Sequence, residues 1–232
     1  MSTTTATQRS GLGRWAALGG AAYVVLFIAG IVVKDNGVPD FEAPPAEVIA
    51  YYSDSGNRDM IALGWGLVML GVFCFLWFLS AVREFMRRIN ADGLLINLAT
   101  IGGAVYAALT LTGIGLETGI QTMSDDTFRD QVFPELIHAA RDTGYVLHAT
   151  GGVGAAALII AVSLAAMRAG LVPGWAGWIG IVIGILALGS IFFFPMALIA
   201  LWLVTVSFLL FRAAPGPGPH TETPGPQVDR AA

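Results

Sequence analysis

Charge is what this chain has least of. Only 12% of its 232 residues are Asp, Glu, Lys or Arg, against 56% hydrophobic, and the mean hydropathy is +0.72. A water-soluble globule of that composition would lack the polar surface to cover itself, which points to a bilayer. Runs of basic residues are also absent and the net charge is −4. Nothing is there to neutralise a phosphate backbone, so nucleic acid is not an expected partner.

Cysteine is nearly absent too. Cys74 is the only one, which excludes an intramolecular disulfide, and its apolar surroundings read as those of a small buried residue. The patterns G-x-S-x-G, C-x-x-C and H-E-x-x-H do not occur, so the standard serine-hydrolase and zinc signatures are missing. Two segments, "GLGRWA" at Gly11 and "GVGAAA" at Gly152, fit G-x-G-x-x-A, yet neither follows a strand and the chain has 29 glycines. A dinucleotide site needs that strand and a later acidic residue. No cofactor is expected.

What the chain does have is apolar length. A helix crossing about 30 Å of hydrocarbon needs roughly 20 residues, and six runs qualify, near 15–33, 60–82, 94–116, 144–167, 173–193 and 196–211. Residues 168–212 as one helix would be on the order of 60 Å long, so the chain must turn back, and "FFFPM" with Pro195 is the expected hairpin. The fold class is therefore all-α, a polytopic transmembrane bundle of six spans. The first run is too long for a signal-peptide core and lacks a clean cleavage site, so it reads as a retained helix.

Cations set the orientation. With the N-terminus cytoplasmic, Arg9, Arg14, Arg83, Arg87, Arg88, Arg168, Arg212 and Arg230 fall inside, and only Lys34, Arg58, Arg129 and Arg141 outside. Both termini are then cytoplasmic, and the outer loops collect most of the acid. Residues 1–12 and the Pro/Gly-rich 213–232, with His220, read as disordered tails flanking a transmembrane domain over 13–212. In the outer loops, "APPAEVIAYY" reads as a short interfacial helix with Pro44 and Pro45 at its start, and "SDDTF" as a helix start capped by Ser124. Two inverted halves of three spans, as in several transporters, find no support in the loop lengths.

The segments "GRWAALGGAAYVVLFIAG", "APPAEVIAYYSDSGNR" and "LVPGWAGWIG" resemble an actinobacterial family of small six-helix integral membrane proteins, defined only as a domain of unknown function. The resemblance covers residues 12–212. It implies a multi-pass protein of the bacterial plasma membrane and brings no catalytic residues with it.

Three polar patterns remain. Asp125, Asp126 and Asp130 in "DDTFRD" have the spacing of a diphosphate and Mg2+ clamp, resembling the first motif of prenyl-transferring and terpene-cyclising enzymes. No second such motif occurs, the orientation puts it outside, and a solvated helix start explains it as well; these are weak metal candidates. Tyr106, Thr110, Gly113, Glu117 and Gln121 step by four, three, four and four, and share an arc of about 80° on one helix. Gly144, His148, Gly152 and Ala156 step by four and form a small-residue ridge of the kind that lets helices approach closely. At about 1.5 Å per residue, Glu117 and His148 reach the same outer level. A polar rim is inexpensive there, whereas a charge at the bilayer centre would by default mark a functional site.

Packing is the plainest role for these residues. The sharper expectation is an outward-facing vestibule between the third and fourth spans, lined by Tyr106, Glu117, Tyr145 and His148, that binds a membrane lipid, a small hydrophobic ligand or a membrane partner. The alternatives are an intramembrane acid–base enzyme, of isomerase or cyclase type, with Glu117 and His148 as candidate catalytic groups, and a small transporter. Transport would need a polar path to the cytoplasm, where the helices offer only Asn97 and Thr100. The small-residue faces, Gly180 and Gly184 among them, are candidate contacts between helices or between copies of the chain.

Overall fold

The structure is a computed structural model that describes residues 12–124 and 131–213, and every regular element among them is helical. In chain order these are α1 (Leu12–Ala16), α2 (Gly19–Lys34), α3 (Pro45–Ser53), α4 (Ser55–Arg88), α5 (Gly93–Thr122), α6 (Pro134–Thr150), α7 (Gly152–Arg168), α8 (Gly174–Ala187) and α9 (Phe194–Ala213). Four helices are long and apolar enough to cross a membrane: α4, α5, α6 and α7 taken together, and α9. The remaining apolar helices are shorter, with 16 residues in α2 and 14 in α8.

The caps explain where several helices start. Asp54 accepts from Asn57 N at 3.0 Å ahead of α4, and Asp92 accepts from Leu94 N at 2.7 Å ahead of α5, each satisfying an amide the first turn leaves open. Proline opens α3 and α6, where its missing N–H is no loss. The short helix expected at "APPAEVIAYY" is α3, and Val48 and Tyr52 of its inner face pack with Ile61 and Ile137.

The hairpin expected at "FFFPM" is present, but the run 173–193 is not one helix. It ends at Ala187, and residues 190–192 form a 3-10 turn before Phe193, whose φ is +54°. A positive φ is rare for an aromatic residue, and here it reverses the chain immediately before Pro195 enters the first turn of α9.

The helices approach closely where glycines face each other. A β-carbon on Gly30 would lie 2.6 Å from the Gly64 carbonyl oxygen, one on Gly102 2.6 Å from that of Gly154, and one on Gly113 2.5 Å from that of Gly144. These contacts join α2 to α4, α5 to α7 and α5 to α6. The expected ridge 144, 148, 152, 156 divides: Gly144 and His148 face α5, while Gly152 abuts Ala187 and Ser190 at the turn after α8. Gly180 and Gly184 pack on Ser163 and Ile160 of α7. Outward, the bundle presents apolar side chains such as Val25, Phe73, Ile101, Val153, Val182 and Leu201, each more than half exposed.

The two ends differ in charge. Lys34, Asp35, Asp54, Arg58, Glu117, Glu135 and Asp142 mark one, called here the acidic end. Arg14, Arg83, Arg87, Arg88, Arg168 and Arg212 mark the arginine end.

Candidate functional site

The polar face read from the spacing on α5 is buried in the bundle: Tyr106 is 7% exposed, Thr110 0% and Gln121 2%. Its partners come from α2 and α6. On α2, Tyr23 and Lys34 stand eleven residues apart, as Tyr106 and Glu117 do on α5. Tyr23 OH and Tyr106 OH share a 2.9 Å hydrogen bond, and Lys34 Nζ donates to Glu117 Oε1 at 2.6 Å. One constant offset joins both pairs, so α2 and α5 run parallel and in register.

His148 lies between those two rungs. Its Nδ1 is 3.1 Å from Thr110 Oγ1, its ring stacks on Phe27 with centroids 5.1 Å apart, and Tyr106 lies 6.2 Å away. The ring is closed in, with 8% of the residue exposed. Glu117 instead faces Gly144. The two residues expected at one level are therefore offset by four positions on α6, about 6 Å along the axis, with His148 the deeper.

Tyr145 does not join this group. It is 39% exposed, and its hydroxyl donates to the Ile191 carbonyl at 2.7 Å, in the turn between α8 and α9. Of the four residues expected to line a vestibule, Tyr106 and His148 meet each other, Glu117 belongs to an ion-paired cluster nearer the acidic end, and Tyr145 faces another helix pair. Asp125, Asp126 and Asp130 lie outside the described residues, among which no group of three or more His, Cys, Asp or Glu could hold a metal ion.

The acidic end holds groups that spacing alone did not single out. Lys34, the chain's one lysine, is 2% exposed and pairs with Asp35 at 3.0 Å as well as with Glu117. Gln121 Nε2 donates to Glu117 Oε1 at 3.1 Å and to Tyr52 OH at 3.4 Å. Tyr52, on α3, is 1% exposed, and burial pushes its phenol up to about 12. Above them the segment after α2 is fastened to α6: Phe41 sits against His138, with centroids 5.5 Å apart, and under the Arg141 guanidinium at 4.2 Å, while Arg141 donates to Pro39 O at 3.2 Å.

Between the end of α5 and the start of α6 lies a cavity of about 10 Å³, lined by Ile120, Gln121, Ser124, Phe133, Leu136 and Ile137 among others. Gln121 Oε1 and Ser124 Oγ are buried there without a hydrogen-bond partner. A buried acceptor without a donor is costly, roughly 1–3 kcal/mol, and a space this size admits about one water-sized group. Oxygens with unmet hydrogen-bonding capacity in a lining that is apolar apart from Gln121, Ser124 and Gln131 suit a small polar group on an apolar body. No family model, curated protein or solved structure matches this chain.

Proposed function

We propose that this chain is an integral membrane protein of the bacterial plasma membrane, with six passes and both termini cytoplasmic, as in the actinobacterial family it resembles. We propose further that it holds a lipid or small lipophilic ligand at the outward end of the α5–α6 seam. The observation that carries the binding reading is the pair of partnerless oxygens, on Gln121 and Ser124, beside an apolar cavity. A hydroxyl or amine of a ligand headgroup would enter the cavity and satisfy them, while its apolar body would stay outside, against the exposed faces of Phe133 and Leu136. Six passes are supported by the parallel pairing of α2 with α5 and by the separation of arginines from acids. At 14 residues α8 is short of a full crossing, and the irregular turn beyond it, tied down by Tyr145, supplies the remainder.

Binding has more support than its alternatives. Glu117 Oε1 receives Lys34 and Gln121, and His148 Nδ1 meets Thr110; no hydrogen bond joins Glu117 to His148, so the two do not form the acid–base pair an enzyme of this type would use. A transporter would need the polar seam to continue past Tyr23 and Tyr106. Toward the arginine end the interior includes Leu79, Val82, Leu95 and Ala99, with Ser163 and Ser207 as isolated buried hydroxyls that carry no charge; Asn97 is exposed, and Thr100 bonds to Ile96 O on its own helix.

The test is to purify the protein in native lipid and identify by mass spectrometry what it retains, comparing wild type with Gln121→Leu and Ser124→Ala. A defined lipophilic molecule that wild type keeps and both variants lose is the expected result. An identical lipid profile in all three would remove the site.

A further inference from the structure

The arginine end presents a second site of opposite chemistry. Six arginines, Arg14, Arg83, Arg87, Arg88, Arg168 and Arg212, stand there among the described residues, and two carboxylates, Glu84 and Asp92. Both carboxylates are occupied: Glu84 pairs with Arg88 at 3.1 Å, and Asp92 caps α5. Among the described residues, six arginines thus face two carboxylates at this end.

Arg14 is the most built of these groups. It stands on α1 with its guanidinium carbon 4.3 Å from the ring centroid of Phe211 on α9, while Trp15 meets the same ring at 5.7 Å. Stacking fixes the plane of the guanidinium and leaves its edge to donate, which suits a planar, two-pronged contact with an oxyanion. Its Nε is buried without an acceptor. Arg212, next in sequence to Phe211, is exposed. Trp15, Trp175 and Trp178 are 67%, 68% and 61% exposed, as indoles are at the level of lipid headgroups.

We propose that Arg14 and Arg212, at the junction of α1 and α9, bind the phosphate of an anionic phospholipid. Phe211 holds Arg14 in place, and Trp15 lies against the upper acyl chain. The phosphate diester accepts from the outer edge of Arg14, and Arg212, the residue after Phe211 on α9, adds charge. The proposed topology puts this lipid in the cytoplasmic leaflet, but the pairing depends only on the arrangement of α1 and α9 and stands apart from the α5–α6 ligand.

The full chain in nanodiscs of phosphatidylcholine with phosphatidylglycerol, stripped stepwise by detergent, reports bound phosphatidylglycerol by native mass spectrometry. One arginine at a membrane surface corresponds to about fivefold in affinity. Retained phosphatidylglycerol is expected to fall by about that factor in Arg14→Gln and in Arg212→Gln, and to stay at the wild-type level in Arg168→Gln, a charge change at the same end away from α1. An equal fall in all three variants would mean diffuse attraction to the arginine end and would overturn the site, as would no fall in either of the first two. Arg212→Gln, altering an exposed side chain, keeps the test open if Arg14→Gln fails to fold. Loss of the α5–α6 ligand is read in a different variant set, so either proposal can fail alone.

Discussion

Lys34 and Glu117 meet across the same 83-residue offset that joins Tyr23 to Tyr106. Two rungs of one ladder therefore reach from α2, which packs on α4, across to α5: a hydroxyl pair in the apolar interior and an ion pair at the acidic end. Removing one member of a buried pair leaves a charge uncompensated, typically at a cost of about 3–5 kcal/mol, whereas replacing both with apolar groups is often close to neutral. Asp35 remains within 3.0 Å of Lys34, so the lower figure applies. Glu117→Ala is expected to lower stability in detergent by about 3 kcal/mol, and Lys34→Met with Glu117→Leu by clearly less. Equal losses in thermal unfolding would show that the pair does not act as a unit.

Tyr145 and the Ile191 carbonyl make a different kind of contact. The turn between α8 and α9 has carbonyls that no helix satisfies, and the proposed topology puts it where water would not readily take them up. Tyr145→Phe keeps the ring and removes only the donor, so a loss of about 1 kcal/mol is expected. It should come with faster amide exchange confined to residues 188–193. Unchanged exchange in that segment would mean the hydroxyl is dispensable there.

The phenol of Tyr52 gives a pH signature. Burial raises its ionisation to about 12 in the folded protein, above the ordinary value of about 10. The folded state thus keeps a proton that the unfolded state gives up. Its contribution is intact below pH ~10 and is lost as pH rises from there toward ~12. The phenolate absorbance gained as pH rises toward ~12 should be smaller by one tyrosine's worth in Tyr52→Phe. A Tyr52→Phe protein with the wild-type titration curve would contradict the burial of this ring.

Much of this was legible in the sequence because hydropathy and spacing are properties of one segment at a time. The apolar runs, the polar face of α5 from Tyr106 to Gln121, and His148 in a packed seam all follow from local pattern. What local pattern cannot supply is the partner. Tyr145 shares helical spacing with His148, yet three residues turn it toward the α8–α9 turn. Tyr23 and Lys34 looked unremarkable because their roles depend on α2 lying parallel to α5 at a fixed offset. The equal eleven-residue steps on the two helices were the available signal. Depth also misled: counting rise from each helix end put Glu117 and His148 at one level, whereas the Gly113–Gly144 contact sets the relative height of α5 and α6 and leaves His148 a turn deeper.

That contact yields the sharpest mutational contrast. Gly113 and Gly119 are both on α5, and propensity alone favours Ala over Gly at each by about 1 kcal/mol. A β-carbon at Gly113 would lie 2.5 Å from Gly144 O and 2.9 Å from His148 N, both backbone atoms, whereas at Gly119 nothing lies within 4 Å. Backbone cannot yield as a flexible side chain does, so Gly113→Ala must push α6 away from α5. The displacement would strain the Thr110–His148 hydrogen bond and widen the cavity beside Gln121. Gly113→Ala is expected to lose about 1–3 kcal/mol, and Gly119→Ala to gain up to about 1 kcal/mol. Thermal unfolding of both variants under one set of conditions decides it, and two variants shifting in the same direction would mean that α5 and α6 are not in contact at these glycines.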